Sequence, residues 1–364
     1  MGGDNAPDAI LQGCFDAVAE LSVDDQLVLI GDEELIHEEI EEHGLQDDAR
    51  LQVVATTQVI GMADPPVESI KNNPDSSIAV MGKLGGRRAG DEFCDAVISA
   101  GNTGACVAAA QMHMRRLPGV HRPGIAVTMP TFHGPVILCD VGANPEPRPT
   151  HLFQYGHMAA VVAEQVHGID NPRVALMSIG GEEGKGNTLT KETHKLLKAD
   201  SEQANGINYV GYVEGRDVFN GKADVIVTEG FTGNVVLKLA EGLASGLFKV
   251  IGAEIMQHDP ELAMRFEPVV KSIYKKHDYN EYGGAPLLGV NGGQVICHGS
   301  SKAKTITNAI RVAREQISMD LNGKMVAELK RANAIYDQLT QNAAAADAAA
   351  VNSTEVVTPP EALA

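Results

Sequence analysis

Eight short apolar runs, most of them followed by a stretch of helical pattern, limit what this chain can fold into more than any other feature. LVLIGD (27–32), LQVVAT (51–56), DAVISA (95–100), GIAVTM (124–129), PVILCDVGAN (135–144), RVALMSIG (173–180), INYVGYV (207–213) and DVIVTEG (224–230) each read as a buried strand. The stretches around them carry apolar residues at helical spacing, as Ile10, Cys14, Ala17, Val18 and Leu21 do. Strands alternating with helices predict an α/β fold: a doubly wound, mostly parallel sheet in a three-layer α/β/α arrangement. Such strands are covered on both faces, and the composition supplies the filling. Trp is absent and aromatics are only 4%, so the core has to be built from Val, Ile, Leu, Ala and Met.

No long linker interrupts the strand spacing, which predicts one large domain over residues 1–322. Residues 325–340 read as a last helix. The Ala-rich stretch after it, with its two prolines at 359 and 360, reads as a disordered tail, so 323–364 is expected to be a terminal helix and tail. The net charge of −19 argues against nucleic acid, whose backbone needs a basic face. Five scattered Cys with no C-x-x-C pair suit a reduced cytosolic protein. The longest apolar stretch, near 235–256, contains Lys238, Glu241, Lys249 and Glu254 and is not a membrane span. The start shows no secretory signal.

Two segments are nearly the same text: DAVISAGNTG (95–104) and DVIVTEGFTG (224–233). Ligands of open parallel sheets bind beyond the carboxyl ends of strands, where helix N-termini present unpaired N–H groups and a positive dipole end to anions. Both segments have that form. One runs into Gly101, Asn102, Thr103 and Gly104; the other runs into Gly230, Phe231, Thr232, Gly233 and Asn234. A single copy is as well explained by Gly for φ freedom and Thr as a cap. Two copies in register point to a pair of anion cradles. The helix after the second turn carries an apolar stripe of Val236, Leu239, Leu243, Leu247 and Val250.

A third strand-end loop, SIGGEEGKGN (178–187), is neither a P-loop nor a dinucleotide fingerprint. Ile179 and Gly186 stand where Walker A needs Gly and Ser/Thr, and Leu189 stands where the third Gly of G-x-G-x-x-G belongs. Lys185 between two glycines is either an ordinary surface lysine or an anion contact. Asp140 and Asn144 occupy a fourth strand-end loop, DVGANPEP (140–147). MGGDNAP at the front looks like another ligand turn, which adds Asp4 to the candidates. In HGSS (298–301), His298 is either a ligand donor or a satisfied loop histidine, and Ser300 or Ser301 is a candidate N-cap. No His cluster has zinc spacing and no G-x-S-x-G elbow occurs, so no metal and no covalent serine nucleophile are expected. The basic clusters Arg87-Arg88, Arg115-Arg116 and Lys271/Lys275/Lys276 are either solvated helix ends or a docking face for an acidic partner.

Taken together, MGGDNAP, VESIKNNPDSS, SAGNTGA, HRPGIAVTMPT, DVGANPEPRPTHL, the KGN loop, VEGRDVFNGKADVIV, EGFTGNVVLK, GGAPLLGV and HGSS resemble the phosphate acyltransferase family of bacterial phospholipid synthesis, the acyl-[acyl-carrier-protein]:phosphate transacylases. These motifs span roughly residues 1–310 in the family's order. The resemblance implies a sheet of the isopropylmalate dehydrogenase type and transfer of a fatty acyl group from acyl carrier protein to inorganic phosphate, with no cofactor. The acyl phosphate would feed glycerol-3-phosphate acyltransferase. It further implies a homodimer in the cytoplasm, held peripherally on the inner face of the membrane by an exposed amphipathic hairpin within about 245–280. Lys185 and Asn234 are the catalytic candidates it supports most, Lys185 on the phosphate and the transition-state charge, and Asn234 either donating to the oxyanion or orienting phosphate. Asp4, Gly101, Asn102, Thr103, Gly104, Asp140, Asn144, Gly230, Thr232, Gly233 and His298 are the candidate substrate contacts.

The chain departs from the family's pattern in three places. It has Glu229 where Asp is usual and Asn5 where His is usual. A short strand normally precedes MGGD, so Met1 is expected to be an internal methionine of a longer reading frame whose upstream codons encode that strand. Two rival readings make distinct predictions. A short-chain phosphotransacetylase or dehydrogenase would use coenzyme A or NAD, and the missing dinucleotide fingerprint counts against the latter. A non-catalytic carrier-protein or lipid-surface module would tolerate changes at Lys185 and Asn234.

Overall fold

The computed structural model describes residues 2–276 and 282–354. The first unit is α1 (Asp8–Val18), β1 (Leu27–Gly31), α2 (Glu33–Glu42), β2 (Leu51–Ala55), α3 (Pro66–Asn72), α4 (Ser77–Leu84), β3 (Ala96–Ser99) and α5 (Thr103–Ala109). A hairpin of β4 (Gly124–Thr131) and β5 (Gly134–Cys139) follows. Then come α6 (Pro149–His167), β6 (Val174–Met177), α7 (Thr188–Ser201), β7 (Tyr209–Val213), β8 (Val225–Val227) and the long α8 (Gly230–His258). The chain ends in α9 (Pro260–Lys276), β9 (Ala285–Leu288), β10 (Gly293–Ile296), α10 (Ala303–Ser318) and α11 (Leu321–Thr354).

All eight apolar runs are strands. Two further strands, β9 and β10, complete an eight-stranded sheet of order β3-β10-β9-β4-β5-β8-β6-β7, while β1 and β2 pair separately in parallel. The pairs β3/β10, β5/β8, β8/β6 and β6/β7 are parallel, and β10/β9, β9/β4 and β4/β5 are antiparallel. Three reversals separate the two parallel blocks. β3 and β10 therefore run opposite to β5, β8, β6 and β7, and the two blocks present their carboxyl ends at opposite edges of the sheet. Successive side chains of a strand enter different layers. On β8, Val225 and Val227 pack with α6 residues such as Phe153 and Met158, while Ile226 joins Ile78, Val107 and Ala109 on the other face.

The last helix is longer than the 325–340 read from the sequence and takes in the Ala-rich stretch expected to be disordered, as far as Thr354. Alanine's high helix propensity accounts for that continuation; residues 355–364 lie outside those described. A partly buried ionic group ties α11 down. His157 of α6 pairs through Nδ1 with Glu328 at 2.7 Å, and Arg331 bridges Glu328 (2.6 Å) and the fully buried Asp200 of α7 (3.1 Å). The apolar stripe of α8 is not core: Leu239, Leu243, Leu247 and Val250 are all more than half exposed. The hairpin implied at about 245–280 falls on the second half of α8 and on α9, with residues 277–281 outside those described. No helix among the described residues is long and apolar enough to cross a membrane.

β1 pairs on one side only, with β2, and β3 on one side only, with β10. The free edges line a common slot of about 430 Å³, whose walls include Ile10 and Leu11 of α1 and Ile306 and Ile310 of α10. Gly3 stands at its mouth beside the carbonyl of Ala100.

Candidate active site

The candidate residues fall into two groups, set by strand direction. Asp140 and Asn144 follow β5, Lys185 follows β6, and Gly230 to Asn234 follow β8. These three strands are parallel neighbours, so the three loops adjoin at one edge. Asp4, Gly101 to Gly104 and His298 gather at the opposite edge, beyond β3 and β10. There Asp4 N–H donates to the Gly299 carbonyl at 2.9 Å, and the Asn5 amide donates to the carbonyls of Ser300 and Ser301. The twin turns are thus alike in form but do not share a site, and no hydrogen bond joins the two groups among the described residues.

The order of the β5–β8–β6 edge comes from Asp140. Its fully buried carboxylate accepts N–H groups of Ile125 (3.0 Å), Gly142 (3.1 Å), Ala143 (3.0 Å) and Asn144 (2.7 Å). Burial pushes this carboxyl above the usual range, while the N–H donors pull the other way. Asn144 is buried too; its amide donates to the Pro123 carbonyl and to Tyr155 Oη, and its own carbonyl accepts Gly230 N–H at 2.8 Å. Both were expected to meet substrate. The structure instead engages their polar atoms within the protein, Asp140 with backbone N–H groups and Asn144 with the Pro123 carbonyl, Asp140 and Tyr155, because a buried polar group without a partner is costly.

The head of α8 is likewise closed. A Cβ on Gly233 would stand 1.9 Å from the Asp140 carbonyl oxygen, and one on Gly230 would strike the Asn144 backbone. These glycines let the helix start press against the 140–144 loop. Glu229 is the N-cap: its carboxylate accepts N–H from Phe231 (2.6 Å) and Thr232 (2.9 Å) and also the Thr232 hydroxyl. Gly233 N–H goes to the Glu229 carbonyl. The expected cradle of free N–H groups therefore holds the chain's own carboxylate, which suits the positive end of a helix as any anion does. In the sequence Glu229 stands out only as a departure from the Asp usual in the family. Glu is not among the favoured caps, so the signal was weak.

Lys185 and Asn234 are the groups left facing outward. Both are exposed, and Lys185 makes no ion pair among the described residues. Its stem passes over Gly180, where a Cβ would lie 2.9 Å from Lys185 Cγ. Asn187 caps α7 just beyond it, accepting Thr190 N–H at 2.9 Å. Asn234 sits in the second turn of α8. One N–H of its amide donates to the Val141 carbonyl at 3.1 Å, which fixes the side chain and leaves the other N–H without a protein partner among the described residues.

At the other edge Asn102 is buried and consumed. Its oxygen caps α5 at Ala105 N–H (3.0 Å), and its amide donates to the carbonyls of Gly61, Met62 and Asp64. Gly101 and Gly104 lie against Ile78 and Pro66, while Thr103 is exposed. His298 Nδ1 faces Ser300 Oγ at 2.7 Å and Ser300 N–H at 3.2 Å. The N-cap position of α10 falls on Lys302, so neither serine caps that helix.

Comparison with known proteins decides the family. A family model described as fatty acid synthesis protein matches residues 1–324. The chain belongs to that family. It is 43% identical over 322 residues to a phosphate acyltransferase of Heliobacterium modesticaldum, covering 88% of this chain and 93% of that one. It is 44% identical over 332 residues to a phosphate acyltransferase of Desulforamulus reducens, with the same coverage. The resemblance read from the motifs therefore holds: the chain is an enzyme, an acyltransferase with phosphate as acceptor. Among solved structures, a phosphotransacetylase from Streptococcus pyogenes superposes with a TM-score of 0.56 at 14% identity, covering 84% of this chain and 91% of that one. The EutD phosphotransacetylase from Staphylococcus aureus gives 0.53 at 17%, covering 87% and 95%. At that identity they show a shared α/β fold.

Proposed function

We propose that the chain moves a fatty acyl group from the thioester of acyl carrier protein to inorganic phosphate at the β5–β8–β6 edge. The observation that carries this reading is the placement of Lys185 on the loop after β6 and of Asn234 in the first turns of the helix after the adjacent parallel strand β8, one cation without a carboxylate partner among the described residues and one fixed amide with a spare N–H. Phosphate is already an anionic nucleophile at neutral pH, and a thiolate leaves readily because its thiol has a pKa of about 8.5. A phosphate oxygen attacks the thioester carbonyl, and the tetrahedral oxyanion collapses to acyl phosphate as the C–S bond breaks. This route needs no covalent nucleophile; it needs positioning and charge stabilisation. Lys185 neutralises phosphate as it approaches, and the free Asn234 N–H meets the oxyanion.

The resemblance extends the proposal to a cytoplasmic homodimer that supplies acyl phosphate to glycerol-3-phosphate acyltransferase for phosphatidic acid synthesis. Peripheral attachment to the membrane has its own support in the exposed stripe Leu239, Leu243, Leu247 and Val250, since an amphipathic helix lies on a bilayer through such a face. The test is substitution of the two outward groups. Lys185→Ala and Asn234→Ala should each lower turnover by roughly 10²–10³-fold with the melting temperature unmoved. Near-normal turnover in either variant removes that residue from the mechanism.

A further inference from the structure

Within a chain of 48 acidic and 29 basic residues, four cations converge on one cleft beside the proposed site. Arg116, Arg122, Arg148 and Lys195 line an open space of about 1220 Å³ between the 143–149 loop, α7 and α11. None of the four makes an ion pair among the described residues, whereas Arg50, Arg173, Arg314 and Arg331 each meet an aspartate. Pro149 and Thr150 also face the cleft, so the positive end of α6 opens into it. Glu146 and Glu192 on its wall leave the balance positive.

His151 records that crowding. Burial, and after it the neighbouring His121, Arg122, Arg148 and Arg116, push its pKa down to about 4. The ring is thus neutral at physiological pH, with Nδ1 accepting Arg148 N–H at 3.0 Å. Unpaired cations held together repel one another unless an anion joins them.

The cleft adjoins the reaction edge. Asn144 lines it while its carbonyl holds the first N–H of α8. Lys195 stands about 10 Å along α7 from the loop that carries Lys185, at 1.5 Å rise per residue. The space exceeds the ~300–1,000 Å³ of small-ligand pockets, and its cations come from three separate segments, a spread that suits a protein surface better than one small anion.

We propose that this cleft docks the acyl carrier protein through an anionic face that includes the phosphodiester of its prosthetic arm; the idea rests on the transacylase reading above. Of the basic clusters singled out in the sequence, only Arg116 takes part. The side chains of Lys271, Lys275 and Lys276 lie outside those described.

The test is the triple variant Arg116→Glu/Arg122→Glu/Arg148→Glu, assayed with two donors: acyl carrier protein, and an acyl-pantetheine thioester lacking both phosphate and protein. KM for the carrier protein should rise roughly 10- to 100-fold relative to KM for acyl-pantetheine and lose its dependence on salt. An unchanged ratio overturns the proposal, as does an equal rise with both donors. The neutral triple variant to Gln should fall between wild type and Glu, and a melting curve on each variant guards against misfolding. Binding of unacylated carrier protein, followed by fluorescence anisotropy, separates the two ideas. If wild type transfers no acyl group yet binds the carrier protein and the variant does not, the transacylase reading fails and the cleft stands. If wild type and variant bind it equally, the cleft fails whatever the activity.

Discussion

The carboxylate of Glu229 occupies the place at the head of α8 where an incoming anion would settle, held by two N–H groups and a hydroxyl. Phosphate entering that turn has to displace it or face its charge. Glu229→Gln keeps an acceptor oxygen for the helix and removes the charge. An ionic group at a helix N-terminus is worth roughly 0.3–1 kcal/mol when exposed and up to about 2 kcal/mol when partly buried. Glu229 is half-buried, so relief of about 0.7–1.4 kcal/mol is a fair middle. The apparent KM for phosphate, measured at saturating acyl donor, should then fall about 3- to 10-fold. Loss of the charged cap should cost about 0.5–1 kcal/mol, a drop of about 1–3 °C in the melting temperature. An unchanged KM would show that phosphate does not meet this turn. A KM raised tenfold would show that the carboxylate helps hold substrate, and the reasoning would be refuted.

Two further outcomes follow from the packing. Burial raises the Glu328 carboxyl, but His157 and Arg331 outweigh it and hold the pKa at about 2. A carboxyl with a depressed folded pKa stabilises above its unfolded value of about 4.3 and loses that contribution as pH falls towards the folded one. Glu328→Gln should therefore melt below wild type at pH 7, and the gap should close between about pH 4.5 and 2; a gap that is absent at pH 7 or constant with pH contradicts the assignment. A five-residue Val/Ile-rich segment joined ahead of Met1 should enter the slot between β1 and β3 from Gly3 and raise the melting temperature. No rise, with the segment still open to protease, would show that those edges do not accept a strand.

Much of the fold is legible in the sequence because a strand buried on both faces writes itself as an apolar run. β9 and β10 escape that signal: each has only four residues, Pro286 interrupts the first, and the second opens on Gly293. The antiparallel pairing of β9 with β4 and the parallel pairing of its hairpin partner β10 with β3 are non-local, so nothing in the text shows that they reverse the sheet. That reversal is why DAVISAGNTG and DVIVTEGFTG look like partners and yet leave opposite edges. Within the site, the turn glycines and Asp140 stand out in the sequence, but a polar residue at a strand end reads the same whether it faces ligand or backbone. Asp140 and Asn102 turn to the backbone, and Asn144 to the Pro123 carbonyl, Asp140 and Tyr155. Lys185 and Asn234 keep groups free, and only coordinates distinguish the two cases.

Phosphate-dependent release of the carrier thiol tests the central claim most directly. Acyl carrier protein thioester is incubated with wild type and with Lys185→Ala, with and without inorganic phosphate, and free thiol and acyl phosphate are followed together. The account predicts that wild type releases thiol only with phosphate, with one acyl phosphate per thiol, and that the variant releases next to none. Thiol release at the same rate without phosphate would contradict it.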